Sequence, residues 1–267
     1  MSVNERFTLP DQLWEKILPY IPKIKNKKKP GRPRMDDRLA LNAIFYILRT
    51  GIQWKALPSC LGASSTVHDR FKFWSQQGFF FRLWQEGLLE YDELKGIDWQ
   101  WQSMDGCHIM APRAGENTGP SYKHRGKSGV NRSLLTDGNG MPLALVVAPA
   151  NRLDFQLAEN TLQSFAIPRP NPKSTQQHIC LDKGYDYPEI DTIITTYQYI
   201  SHIRRKGIDY SLLVPKYRAR RWVVERTHSW INDYRRLILR WETRSQHYLS
   251  FLYFACAVMC FHKASNT

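Results

Sequence analysis

Three acidic side chains, Asp105, Asp182 and Glu225, stand where apolar segments stop or turn a face. Asp182 closes the run Ile179-Cys180-Leu181 in "HICLDKGYD", and Lys183-Gly184-Tyr185-Asp186 follows as a turn. Asp105 is expected to end the first strand, in "WQWQSMDG", whose alternation puts Trp99, Trp101, Ser103 and Asp105 on one face. Glu225 lies at the margin of a helical stripe in "RRWVVERTHSWINDYRRLILRW", formed by Val223, Val224, Thr227, Trp230, Ile231, Tyr234, Leu237 and Ile238. If the two strands are parallel neighbours, their acids meet at one rim of a sheet, where open α/β folds place their chemistry. Three ionised carboxylates repel one another unless a cation joins them. Oxygen ligands with open positions suit Mg²⁺ or Mn²⁺. Two such ions about 3.5–4 Å apart activate an attacking oxygen and stabilise a leaving one in phosphodiester chemistry. Arg221, one turn before Glu225, can hold that acid ionised or contact a phosphate.

Other acids compete for these places. Asp186 reads as the cap of a following helix, Asp98 precedes its strand and faces the other way, and Asp137 belongs to a hairpin turn.

The elements that must position the acids fall into two regions. Residues 8 to about 90 read as helices. Thr8-x-x-Asp11 has the pattern of a capping box, ahead of a stripe of Leu13, Trp14, Ile17, Leu18 and Ile21. "DDRLALNAIFYILRTG" is a second helix with Ala40, Leu41, Ile44, Ile47 and Leu48 inward and Gly51 as its stop. Ser64 or Ser65 caps a third, "STVHDRFKFWSQQG". Two short helices joined by a tight turn, the second carrying His68, Arg70 and Lys72, fit a helix-turn-helix ahead of the alternative, a plain helical bundle.

From Trp99 the period changes to that of strands. "NRSLLTDGNGMPLALVVAPA" is two strands around the hairpin signal Asp137-Gly138-Asn139-Gly140. "DFQLAENTLQSF" is helical with Asp154 as its cap, and Ile179-Cys180-Leu181 is the next strand. A short helix to about Thr196, a strand in "YQYISHI" and long C-terminal helices follow. The order implies a mixed α/β sheet of five strands, three antiparallel and then two joined by crossovers, with helices packed on it. The expected domains are residues 1–95, helical and DNA-binding with a basic arm, and residues 96–267, catalytic.

A net charge of +14 over 267 residues points to a polyanionic partner, nucleic acid before an acidic membrane. The opening "MSVNERFTLPDQLW" has no secretory pattern, and "YLSFLYFACAVMCF" is too short to span a bilayer comfortably. A cytoplasmic protein is expected. Five scattered cysteines read as reduced thiols. Cys256, Cys260 and His262, with His178 and Cys180, have a faintly zinc-like spacing, but all sit in apolar segments and read as core.

Taken together, "RTGIQWKALP", "SMDG", "LTDGNGMPLALVVAPAN", "LDKGYD" and "RRWVVERTHSWINDYRRL" closely resemble the DDE transposases of bacterial insertion sequences, insertion-sequence family five in particular. The resemblance runs from about Leu9 to the C-terminal helix. It implies a helical N-terminal domain, here expected to be helix-turn-helix-like, a ribonuclease-H-like catalytic domain, and Asp105, Asp182 and Glu225 as the triad that binds two Mg²⁺ or Mn²⁺ ions. It also implies assembly on paired DNA ends as a homodimer or more. The family's arginine four residues before the glutamate falls on Arg221. A related pattern, with a tyrosine before that arginine and a basic residue seven after the glutamate, is incomplete, since Arg218 and Asn232 occupy those positions. The short stretch between Asp182 and Glu225 leaves no room for the large β-rich insertion of some relatives.

The basic residues fit a DNA substrate. "KKKPGRPR", with Arg32 and Arg34, resembles an AT-hook that enters a narrow minor groove, or is a solvated linker. Lys183 and Tyr185 are placed to contact the DNA backbone, and Lys123, His124, Arg125 and Lys127 to line its path. Arg204, Arg205, Lys206, Lys216, Arg218 and Arg220 cluster near the acids, and Arg235 and Arg236 follow on the helix. Trp222 can stack on a displaced base, although core packing is the stronger expectation. Two rivals remain: a DNA-binding regulator that has lost catalysis, and a simple nuclease with the same core.

Overall fold

The computed structural model describes residues 7–23, 34–205, 207 and 220–265. Arg32, Lys206, Lys216 and Arg218 lie outside them. The helical region opens with α1 (Asp11–Ile17) and α2 (Asp37–Thr50). In α2 the pattern and the structure agree to the residue. Asp36 Oδ1 accepts from Leu39 N at 2.8 Å, the five inward positions are fully buried, and Gly51 ends the helix at φ 72°. A Cβ on Gly51 would also lie 3.1 Å from the Arg235 backbone, so both conformation and space favour glycine there. Pro10, not Thr8, holds the cap position of α1 and makes no side-chain cap bond, and Leu18 is 52% exposed.

Helices α3 (Ser64–Gln76) and α4 (Phe79–Lys95) follow, and Ala63, not a serine, holds the cap position of α3. No tight turn joins α2 to α3. The link carries two 3₁₀ turns, Trp54–Ala56 and Ser59–Leu61, within a helical N-terminal region. These helices pack instead against the C-terminal helix α8 (Ser245–Ser265), which lies along α4. Aromatic rings fill the crossing of α3, α4 and α8. Phe71 stacks on Phe251 at 4.5 Å, and Phe80 meets Phe254 at 5.3 Å.

The sheet is built from β1 (Trp101–Met110), β3 (Ser128–Asp137), β4 (Pro142–Pro149), β5 (His178–Leu181) and β6 (Ile200–Ile203). A two-residue strand, β2 (Gly119–Pro120), adds a sixth member to the five expected. The longer strands run in the order β4-β3-β1-β5-β6: β1, β3 and β4 antiparallel, β5 and β6 parallel to β1. This is the mixed sheet expected, three antiparallel strands followed by two parallel ones. The β3–β4 hairpin forms at Asp137 as expected, its carboxylate accepting from Asn139 N at 2.9 Å and Met141 N at 2.6 Å.

Helices α5 (Ala158–Gln163) and α6 (Pro188–Thr196) cover one face of the sheet around Met104, Leu135, Ile179 and Leu181. On the other side, α7 (Trp222–Asn232) and α8 join β1, β3 and β4 to the N-terminal helices in one continuous core. Residue 95 therefore marks where helix gives way to sheet; the core itself crosses it.

Candidate active site

Parallel pairing of β1 with β5 decides where the acids lie. Trp101 pairs with His178, Gln102 with Ile179 and Ser103 with Cys180. Asp105 and Asp182 each stand two residues beyond the last of these pairs, so they face the same side as Ser103 and Cys180 in matching register. Asp105 does not end its strand. Its partner β3 carries β1 on to Met110, whereas β5 stops at Leu181 and leaves the β1 edge open at Asp105. Asp182 turns the chain after β5: its Oδ1 accepts from Gly184 N at 2.6 Å and caps the 3₁₀ turn Lys183–Tyr185.

Glu225 reaches the same rim from α7. Val223 and Val224 are buried, and Ser103 Oγ donates to the Arg220 carbonyl at 3.3 Å, which pins the start of that helix over β1. The helix is shorter than its apolar stripe suggested, stopping at Asn232 before a 3₁₀ turn at Arg235–Leu237. Arg221 links the acids: its Nε lies 3.1 Å from Glu225 Oε1 and its Nη1 lies 3.6 Å from Asp182 Oδ2.

Burial pushes the Asp105 carboxyl up to about 6, the charges of Asp182 and Asp154 add to this, and the Gly106 amide and Arg221 only partly offset it. The donor set is oxygen alone and so fits a hard divalent cation. The oxygens are not drawn round one point: among the described residues, no group of three His, Cys, Asp or Glu is spaced to hold an ion. Arg221 bridges Asp182 and Glu225 instead.

Beneath the rim, Arg132 Nη2 lies 3.1 Å from His228 Nδ1, and His228 Nε2 lies 3.4 Å from the Asp105 carbonyl. A guanidinium can only donate, so Nδ1 accepts and the imidazole proton sits on Nε2, aimed at Asp105. Burial first, and then Arg132, push His228 down to about 3, which keeps it neutral.

Comparison with known proteins fits this arrangement. Residues 102–260 match the family model described as a transposase DDE domain. This chain belongs to the DDE transposases. Residues 9–84 match a second model, described as a putative transposase of the IS4/5 family. A putative transposase for insertion sequence element IS402 from Burkholderia cepacia is 31% identical over 54% of this chain and 69% of its own length. An IS402 uncharacterized 16.2 kDa protein, also from Burkholderia cepacia, is 34% identical over 41% of this chain and 77% of its own. The catalytic domain of the Mos1 mariner transposase aligns at TM-score 0.29 and 11% identity, over 70% of this chain and 94% of that one, too loosely for any comparison of residues.

The transposase brings Asp105, Asp182, Glu225 and Arg221 together, with Lys183 exposed beside them. Lys123, Arg125 and Arg235 are exposed as well. Three residues expected at the DNA are buried. Tyr185 is 0% exposed, Arg70 is buried and paired with Asp37, and Arg236 is buried against Glu242. The helical surface is also occupied internally. Arg34 pairs with Asp37 at 2.5 Å, Lys72 with Asp69 at 2.6 Å, and His68 packs on Trp54. Trp222, expected in the core, is 53% exposed, with the Arg226 guanidinium over its ring. Cys180, Cys256 and Cys260 are buried as core thiols.

Asp154 departs from the helix-capping role expected of it. It caps nothing: its Oδ1 accepts from Asn131 Nδ2 at 2.6 Å, behind Gly106. The glycine directly after Asp105 was the signal that another group needs that space.

Proposed function

We propose that this transposase binds the ends of its insertion sequence, cleaves the DNA there and joins the freed 3′ ends to target DNA. The matching register of Asp105 and Asp182 on parallel neighbours, tied to Glu225 through Arg221, supports the reading. Asp105, Asp182 and Glu225 would hold two Mg²⁺ or Mn²⁺ ions, which supply the positive charge that favours an attacking oxygen and a leaving oxygen at phosphorus. The open β1 edge admits the scissile phosphate, and Arg221 is placed to bind one of its oxygens once the acids have another counter-charge.

In the first step water attacks phosphorus and the P–O3′ bond breaks, leaving a 3′-hydroxyl and a 5′-phosphate. In the second, that 3′-hydroxyl attacks a target phosphate in line, and a target 3′-oxygen leaves. No covalent bond to the protein is needed. His228 is held neutral beneath and serves the backbone of Asp105. Two copies of the chain would hold paired ends.

The test is a purified protein incubated with Mg²⁺ and a DNA fragment carrying the element's terminal inverted repeats. Nicking and joining are expected. Asp182→Asn should bring both below detection while its mobility-shift affinity for the ends stays close to wild type. Joining by that variant at the wild-type rate rejects the assignment.

A further inference from the structure

Behind Asp105, on the opposite face of the sheet, lies a second polar chamber. Gly106 pairs with Ser133 and His108 with Asn131 across β1 and β3, so all four point to that face. Asp154 enters from the 3₁₀ turn Asp154–Leu157 and fills the space that Gly106 leaves; a Cβ on Gly106 would collide with its Oδ1. Asn131 Nδ2 fixes that carboxylate and also donates to the Arg152 carbonyl at 3.0 Å.

Three atoms around it are buried without a hydrogen-bond partner: Asn131 Oδ1, Tyr185 Oη and His108 Nε2. Asn131 and Tyr185 are both 0% exposed. The acids bearing on the Tyr185 hydroxyl are Asp154, Asp105 and Asp182, in falling order, and it lies beside Ser133 without meeting it in hydrogen-bond geometry. Buried polar atoms are rarely left without a partner, and three round one carboxylate mark a place built for an occupant. Because β5 stops at Leu181, no strand separates this chamber from the acids on the front face at the β1 edge.

We propose that Asp154 is a fourth carboxylate of the divalent-cation site, held in place by Asn131, with Asn131 Oδ1 and Tyr185 Oη as the neutral oxygens beside it. Carboxylate, amide carbonyl and hydroxyl oxygens are the ligands that Mg²⁺ and Mn²⁺ take. The proposal rests on the reading of Asp105, Asp182 and Glu225 as cation ligands. Asp154 then gives the second ion a carboxylate of its own beside the one it shares.

The experiment is Mn²⁺ binding to the full chain, followed by the electron paramagnetic resonance of free Mn²⁺, with thermal melts alongside. The wild type should bind two ions. Asp154→Asn, which keeps shape and removes charge, should weaken the second by about tenfold or more. Gly106→Ala, which displaces the carboxylate without removing it, should do the same, and Asp154→Glu should restore part of the affinity. Asp182→Asn is the control for the front of the site. Wild-type isotherms in both Asp154→Asn and Gly106→Ala, with binding lost in Asp182→Asn, would show that Asp154 only anchors Asn131 and that the chamber holds water; that overturns this inference alone. No Mn²⁺ bound by the wild type overturns the cation reading of the triad and this inference with it.

Discussion

The β1–β5 rim and the helices α1–α4 carry charge in opposite ways. In the helices many of the placed charges have a partner from the same region: Arg70 and Arg34 share Asp37, Lys72 holds Asp69, and Lys16 holds Glu90. At the rim, two aspartates and a glutamate share one guanidinium, Asp105 is hard to ionise, and buried oxygens behind it have no partner. A region that neutralises itself is built to be stable. A region left short of positive charge is built to receive it. The basic excess of this chain is therefore a poor guide to which arginines touch DNA, because part of it is consumed within the fold.

The sharpest test of that contrast is Arg236. It was expected at the DNA, yet its Nε and Nη2 donate to Glu242 Oε1 at 2.8 and 2.6 Å, and its Nη1 donates to the Ile52 carbonyl at 2.9 Å. Arg236→Ala strands Glu242 in the core, where burial already raises its pKa. Breaking one side of a buried pair costs about 3–5 kcal/mol, so the variant should melt far below wild type in calorimetry. Below its melting temperature it should bind DNA with a wild-type salt slope. A reduced salt slope with an unchanged melt would place Arg236 at the DNA and break the comparison.

What was legible in the sequence follows the same division. The acids were legible because strand ends and helix margins leave a periodic signal: Leu181 stops and Asp182 begins, and Glu225 sits beside Val224. The α2 stripe and the Asp137 hairpin were legible for the same local reason. Partnership was not. Nothing near Arg70 in the chain announces Asp37, and nothing near Arg236 announces Ile52; both pairs depend on how distant segments pack. Helix ends also escaped the pattern, because the apolar positions run on past Asn232 although Tyr234, at ψ 92°, leaves the helix. Asp154 escaped because an acid after a loop reads as a cap until the empty space over Gly106 is seen.

Trp222 gives a middle-sized effect. Its ring is 53% exposed three residues before Glu225, and Arg226 lies over it at 4.6 Å and over Trp230 at 4.6 Å. Little apolar surface is lost when it is shortened, so Trp222→Ala should leave the melting temperature within a degree or two of wild type, in keeping with an exposed site. If the ring stacks on a base at the cleavage point, affinity for a substrate with that base unpaired should fall by about 1–3 kcal/mol. Loss for paired and unpaired substrates alike would make Trp222 a support for Arg226 only.

The smallest effect belongs to the exposed turn Tyr122–His124 and the residues after it. Lys123 is exposed, with its ammonium 5.9 Å from the Tyr122 ring, and Arg125 is exposed at φ 52°. Neither has an acid to neutralise it among the described ion pairs, in contrast to Lys72 on α3. A lysine against one phosphate contributes nonspecifically, so Lys123→Ala should weaken binding to all sequences alike and reduce the slope of log K against log salt by about one. Lys72→Ala, which removes a charge already held by Asp69, should leave that slope unchanged. Equal slopes for the two variants would mean that the helical surface meets DNA as directly as the rim does, and self-neutralised charge would no longer distinguish the two regions.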